Sequence, residues 1–247
     1  MARAAGPIEV AVAGPILRLT LTGTRLDQAA AQQITSLLAP EQIRPGIRVV
    51  VLDCGGPDFC RGLSNDFEPL GCGFDPAAAI ARVRRPVVAC LRGEVASAGL
   101  ELALAADIRL AADDAVLSLP DLLDGRLPCW GGTQRLVRLA GPGLATAMLL
   151  SGHRVSADQA QVAGLVHEIV ERDTLAPHAD DVASELARLA PLALELAKEA
   201  ISEGAHLPML DALRLETDLN VLLQSSRDRQ EGLEAFLTKR DATFTGD

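Results

Sequence analysis

The chain has 247 residues, long enough to bury a large core, and its 33 acidic side chains outnumber 23 basic ones, for a formal net charge of -10. That balance lacks the positive footprint of a nucleic-acid binder. The five cysteines, Cys54, Cys60, Cys72, Cys90 and Cys129, are odd in number and form no C-x-x-C pair, so neither a disulfide framework nor a zinc site is indicated and a reducing cytoplasm is the expected compartment.

Arg3 is followed by no apolar run, and no signal peptide is expected. Residues 8–13 and 16–21 read as two strands around Gly14-Pro15, a hairpin pattern, and a helix is predicted over 27–38. A strand over 49–53 gives way to Asp58-Phe59-Cys60-Arg61-Gly62-Leu63-Ser64, where Gly62 lets the chain turn so that the Leu63 N–H faces outward. Gly71-Cys72-Gly73 reads as a loop.

The apolar, β-branched run from Pro86 to Leu91 predicts a strand over 87–91, followed by a turn of small residues and a helix beginning near Ala98. Gly93, Ala96, Ser97, Ala98 and Gly99 are small enough for a ligand to approach the backbone. The Ala98 N–H is one of the orphan donors at the helix start, where the dipole also favours negative charge. With the Leu63 N–H it forms a candidate oxyanion hole for a carbonyl oxygen that gains charge. The apolar stretch from Val95 to Ala106 is short and interrupted by Glu101, so no membrane span is expected.

Strands are predicted over 108–111 and 116–119, and with helical patterns between several of the strands this favours an α/β core. From Ala183 onward the pattern is almost entirely helical, through Leu186, Leu189, Leu192, Leu194 and Ala197, with Pro191 a candidate break. A boundary near residue 190 divides a core, 1–190, from a C-terminal helical region, 191–247.

Glu101 and Asp121 are two carboxylates, each in a turn that can place it beside one small substrate, and no metal-ligand cluster accompanies them. Such a pair points to proton transfer. The residues alone leave simpler readings open: Glu101 as a first-turn acid favoured by the helix dipole, and Asp121, after Pro120, as a turn former.

Phe59-Cys60-Arg61-Gly62-Leu63, the segment from Gly93 to Asp107, Pro120-Asp121, Gly131-Gly132-Thr133-Gln134-Arg135-Leu136, Ser156-Ala157-Asp158-Gln159-Ala160, Gly164-Leu165-Val166 and the ending from Glu231 to Arg240 occur in an order and spacing that resembles the crotonase, or enoyl-CoA hydratase/isomerase, superfamily. The resemblance covers nearly the whole chain. It implies an α/β fold, a spiral of ββα units, with a C-terminal helical region that makes trimer contacts, often within a dimer of trimers. It also implies an acyl-CoA thioester substrate, with no metal and no cofactor beyond the CoA of that substrate, and neither nucleic acid nor membrane as a partner. In the implied hydratase reaction two acidic residues hold a water, one removing its proton as oxygen adds to C3 and the other managing the proton at C2, while Leu63 and Ala98 hold the thioester oxygen.

The implied activity is hydration of a 2-enoyl-CoA to a 3-hydroxyacyl-CoA. Enoyl-CoA isomerisation, a related lyase reaction, or an impaired acyl-CoA-binding homologue stand as alternatives. They stay open because the family's usual second acid is glutamate, whereas Asp121 is one methylene shorter. Ser64 stands where the family commonly has aspartate, and the segment between Leu63 and Ala98 is shorter than usual, which leaves the acyl specificity open. Gly62, Trp130, Arg25 and Lys239 are the expected substrate-binding positions, Lys239 and Arg240 by resemblance to a basic last-helix end near a CoA phosphate. Trp130 is read equally as a wall of the acyl pocket or as a core aromatic, and Cys129 as a small buried hydrophobe rather than a nucleophile. His153, His167, His178 and His206 match no catalytic motif and read as surface or packing residues.

Overall fold

Among the described residues nine strands, interleaved with helices, occupy the chain up to Val170, and their burial explains the layering. The computed structural model describes residues 6–69 and 71–247, so Arg3 lies outside the described residues. Strands β1 (Ile8–Ala13) and β2 (Ile16–Leu21) form the expected hairpin, in register from Ile8 opposite Leu21 to Ala13 opposite Ile16. Helix α1 (Gln28–Leu37) follows, started by Asp27, whose carboxylate accepts from the Ala30 N–H at 2.7 Å.

Strand β3 (Val49–Cys54) is buried at all six positions and pairs parallel with β2. Helix α2 (Pro76–Arg82) is capped by Asp75 with proline in its first turn. Strand β4 (Val87–Leu91), also wholly buried, adds parallel to β3. A three-residue strand β5 (Glu94–Ala96) and helix α3 (Ala98–Ala105) come next. Strand β6 (Ile108–Ala112) pairs parallel with β4, and β7 (Val116–Ser118) pairs parallel with β5.

A single 3-10 turn over Asp121–Asp124 leads to helix α4 (Gly132–Ser151), which is interrupted at Gly141 before Pro142. Strand β8 (Val155–Ser156) is antiparallel to β7, helix α5 (Ala157–Val162) opens on a Ser156/Gln159 capping box, and β9 (Glu168–Val170) completes the large sheet beside β6. The large sheet runs β1-β2-β3-β4-β6-β9, and β5, β7 and β8 form a second, three-stranded sheet.

Side chains alternate across the large sheet, as the strand period requires. Val50, Leu52, Ala89 and Leu91 face the main core under α1, α2 and α3, whereas Val49, Val51, Val88 and Cys90 face helix α6 (Leu175–Ala187). That helix presents Leu175, Ala179, Ala183 and Ala187, one residue per turn, and small side chains let it lie close to the strands. Asp53 continues the same row and is satisfied by Arg18 and Arg92, each at 2.5 Å.

Helix α7 (Pro191–Gly204) begins with proline at its first position, where the missing N–H costs nothing. Lys198 ties it to the core through Asp107 at 2.6 Å and the Arg85 carbonyl at 3.1 Å. Helix α8 (Met209–Gln224) packs on α7, and helix α9 (Arg227–Thr238) follows. The tail after α9 folds back: buried Asp228 accepts from the Thr245 and Gly246 N–H groups at 2.7 and 2.9 Å, and Arg48 donates to the Phe244 carbonyl.

Candidate active site

The small sheet is what brings the two carboxylates together. Pairing of β5 with β7 lays the chain entering α3 beside the chain leaving β7, and the Ser97 N–H donates to the Ser118 carbonyl at 3.1 Å. Glu101 then lies one turn into α3 and Asp121 at the start of the 3-10 turn.

Glu101 is 2 % exposed. Its Oε1 accepts from the Trp130 N–H at 2.7 Å and the Gly132 N–H at 2.8 Å. A Cβ at position 132 would meet Glu101 Cγ at 3.0 Å and Pro128 Cβ at 3.1 Å, so glycine is what allows this approach. Burial pushes the Glu101 pKa up to about 7, against the N–H groups of Gly132, Trp130 and Cys129 and with help from the Asp121 charge.

Asp121 is 6 % exposed, and its Oδ2 is buried without a hydrogen-bond partner among the described residues. Burial raises its pKa, while the neighbouring Ser97 hydroxyl and Arg126 favour the charged form. A buried acid with an unsatisfied oxygen is suited to hold a proton or to bind a polar ligand atom.

The segments bearing the two candidate N–H donors run side by side. The Cys60 carbonyl accepts from the Ala96 N–H at 2.8 Å, and a Cβ at Gly62, where φ is +118°, would come within 3.0 Å of Ser97 Cβ. Leu63 and Ala98 directly follow these two facing residues, and among the described residues neither N–H meets an acceptor. Two of the small residues expected to admit a ligand serve the chain itself. A Cβ at Gly93 would lie 2.4 Å from the Pro57 carbonyl oxygen, and one at Gly99 2.5 Å from Cys60. Residues 94–96, read as part of a turn, form β5, which is too short to carry a strand pattern.

The remaining expected positions divide. Arg25 is exposed and donates to the Leu63 carbonyl at 2.8 Å, which brings it beside the candidate oxyanion hole. The Trp130 ring is 3 % exposed in the main core, 6.2 Å from the Phe67 ring, while its backbone touches Glu101. Ser64 turns its hydroxyl onto the Leu26 carbonyl at 3.0 Å. Lys239 caps α9 in the left-handed region, and among the described residues no hydrogen bond or ion pair links its side chain to the site. Arg240 is held by Glu231 in a two-pronged contact at 2.6 and 2.8 Å.

Cys129 corrects one expectation: it is exposed rather than buried. Trp130 takes the inward position in this short segment and leaves its neighbour facing out. Desolvation by the surrounding protein, followed by the Glu101 and Asp121 charges, pushes the Cys129 thiol up to about 12, which keeps it un-ionised and a poor nucleophile. His167 accepts from the Arg109 N–H at 3.1 Å and His178 lies 2.9 Å from Glu168, both in packing roles. Sequence reasoning took Ser97 only as a small residue, without its positive φ, and missed the Glu101-holding role of Gly132, for which the Gly131-Gly132 pair was the only signal.

Two buried carboxylates thus lie on turns that the small sheet brings side by side, near two backbone N–H groups that meet no acceptor among the described residues. The chain belongs to the enoyl-CoA hydratase/isomerase family, whose model matches residues 26–247. It is 41% identical over 162 residues to 2,3-dehydroadipyl-CoA hydratase of Escherichia coli (strain K12), a match covering 66% of this chain and 64% of that protein. It is 30% identical over 254 residues to (E)-benzylidenesuccinyl-CoA hydratase of Thauera aromatica, covering 97% of this chain and 99% of that one. The solved structure of an enoyl-CoA hydratase from Bacillus anthracis superposes with a TM-score of 0.90 at 30% identity, over 98% of this chain and 100% of that one. The fold is the crotonase-like α/β spiral with a helical C-terminal region. Among the described residues no helix is long and apolar enough to cross a membrane.

Proposed function

We propose that the protein hydrates a 2-enoyl-CoA to a 3-hydroxyacyl-CoA. The observation that carries this reading is the burial of Glu101 and Asp121 close enough for the charge of one to raise the pKa of the other. The thioester oxygen would accept from the Leu63 and Ala98 N–H groups, which stabilise the enolate as it forms. Glu101, whose carboxylate is held by backbone donors, takes a proton from water as the oxygen adds to C3. Asp121, with its unpartnered oxygen, holds the proton that C2 receives. Water is consumed and both carboxyl groups return to their starting states after one proton exchange.

Gly62 shapes the turn at the hole, Trp130 is proposed as a wall of the acyl pocket, and Arg25 and Lys239 are proposed to meet the CoA phosphates. No metal or cofactor other than the substrate's CoA enters this scheme. The reading extends to a cytoplasmic homotrimer or dimer of trimers joined through 191–247, supported by exposed apolar residues there such as Met209, Leu210 and Phe236.

The test is loss of enoyl absorbance on incubation with crotonyl-CoA. Glu101→Gln and Asp121→Asn should each lower kcat by at least about a hundredfold with folding intact. Wild-type turnover in both variants would sink the acid–base assignment. One observation favours a second reading, double-bond isomerisation: the short Asp121 side chain, which changes where its proton can be delivered. A product whose double bond has moved, with no 3-hydroxyacyl-CoA formed, would select it.

A further inference from the structure

Leu63 enters the candidate oxyanion hole through its N–H, and the peptides on either side of it decide where that N–H points. The Gly62 carbonyl, in the same peptide unit, accepts from the Leu26 N–H at 2.8 Å. A trans peptide is planar with its carbonyl and N–H opposed, so this bond aims the Leu63 N–H away from residue 26. The chain on both sides is tied to the same segment: the Arg61 N–H donates to the Thr24 carbonyl at 2.7 Å and the Ser64 N–H to the Leu26 carbonyl at 2.8 Å. Residues 24–26 thus lie along 61–64 as a short parallel splint, with Leu26 paired to Leu63.

Backbone bonds of this kind survive most substitutions, but one bond of the splint comes from a charged side chain. Arg25 Nη1 donates to the Leu63 carbonyl at 2.8 Å, across 38 positions of sequence. The Cys60 thiol, a weak donor, lies 3.5 Å from the Gly62 carbonyl. Gly62, at φ +118°, gives the turn its freedom, and a donor that directly follows such a glycine must be held from outside. We propose that Arg25 is a positioning residue: it anchors the carbonyl after Leu63 while the Leu26 N–H anchors the carbonyl before it, and together they fix both torsions of Leu63 and keep its N–H on the thioester oxygen. This rests on the oxyanion-hole reading of Leu63 given above and is separate from any contact of Arg25 with a CoA phosphate.

The experiment compares the full-length wild type with Arg25→Ala and Arg25→Met, using crotonyl-CoA and crotonyl-pantetheine, a thioester without phosphates. Methionine keeps an aliphatic stem and removes only the donor. Both variants should lower kcat by about tenfold on both thioesters, short of the loss of about a hundredfold or more that follows removal of an oxyanion donor itself. Tm should change little, because the Arg25 side chain is exposed. The carbonyl stretch of bound crotonyl-CoA, read by difference infrared spectroscopy on a Glu101→Gln background that slows turnover, should move to higher frequency when Arg25 is replaced, since a misaimed donor polarises the carbonyl less.

Wild-type kcat in both variants, with KM raised for crotonyl-CoA alone, overturns the proposal and leaves Arg25 as a phosphate contact. A loss confined to Arg25→Ala, or a lowered kcat with an unmoved carbonyl stretch, overturns it as well. A wild-type protein that binds crotonyl-CoA without hydrating it removes the hydratase reading alone, and the carbonyl stretch then decides the role of Arg25. A protein that binds neither thioester removes both.

Discussion

Glu101 is balanced between two protonation states near neutrality, and this has a cost that can be measured. Its pKa rises from 4.5 in the unfolded chain to about 7 in the fold, so the native state binds the extra proton between those values. Stability from this group is therefore fully present below about 4.5 and is lost as pH rises through about 7, by at most about 3 kcal/mol. Glu101→Gln keeps an oxygen for the Trp130 and Gly132 N–H groups and has no charge to bury. Its Tm should exceed that of the wild type at pH 8, with the advantage fading toward pH 4.5 in thermal melts. An advantage that does not change with pH would mean that Glu101 is not held neutral in this way.

Trp130 presents the other residue-scale test. Its near-complete burial beside Phe67 sets the cost of Trp130→Ala at roughly 3 to 5 kcal/mol. If the ring also walls the acyl pocket, kcat/KM across short, long and branched enoyl-CoAs should shift by about tenfold to a hundredfold toward the larger chains. An unchanged ranking with a lowered Tm assigns the ring to the core alone. Glu101 and Asp121 were legible as a pair because carboxylates in turn-rich, apolar sequence stand out. Ser97 was not, because serine is ordinary in a turn and its unusual φ arises only when β5 meets β7. Gly132 was visible as a motif, but the reason for it, a carboxylate that must come within reach of its N–H, is a contact between residues 31 positions apart.

At the scale of elements, the turn at Gly62 and the start of α3 act through backbone rather than side chains. Leu63→Ala should leave turnover nearly unchanged because the N–H survives, whereas Leu63→Pro should abolish it by removing the donor. A folded, active proline variant, checked by circular dichroism and the crotonyl-CoA assay, would exclude Leu63 from the oxyanion role. Helix α6 offers a packing counterpart. Ala183 is fully buried against the sheet, so Ala183→Leu should cost about 1 to 3 kcal/mol through overpacking, read as a lowered denaturation midpoint. The long strands were readable because β3 and β4 are continuous apolar runs and the hairpin has a turn signal. β5, β8 and β9 span only two or three residues each, too few to display alternation, and they exist because neighbouring strands supply their hydrogen bonds.

Across the whole molecule, the C-terminal helices stand out by what they leave uncovered. Ile201, Met209, Leu210, Val221, Phe236 and Leu237 are all at least half exposed, an apolar content unlike that of a surface meant only for water. Leu210→Asp combined with Phe236→Asp should reduce the sedimentation coefficient to that of a smaller species while leaving helix content intact. Unchanged sedimentation would direct attention to another face for assembly. The helical character of this region was plain from its sequence, whereas the return of the tail onto α9 and Arg48 was not. It depends on buried Asp228 meeting backbone N–H groups 17 and 18 positions later, and no local pattern announces such a contact.

The strand order of the large sheet bears on how the chain acquires its shape. From β1 through β4, each strand settles against the one made just before it, and β6 and then β9 extend the same edge. A growing polypeptide thus finds its template already present at each step, and no early segment must wait for a distant late one before it can pair. Loop-closure costs are spread in small instalments along synthesis, although parallel pairing is otherwise slow to nucleate. The growing edge stays open until β9 emerges, and a nascent chain paused between residues 112 and 168 would present the unpaired side of β6 to its surroundings.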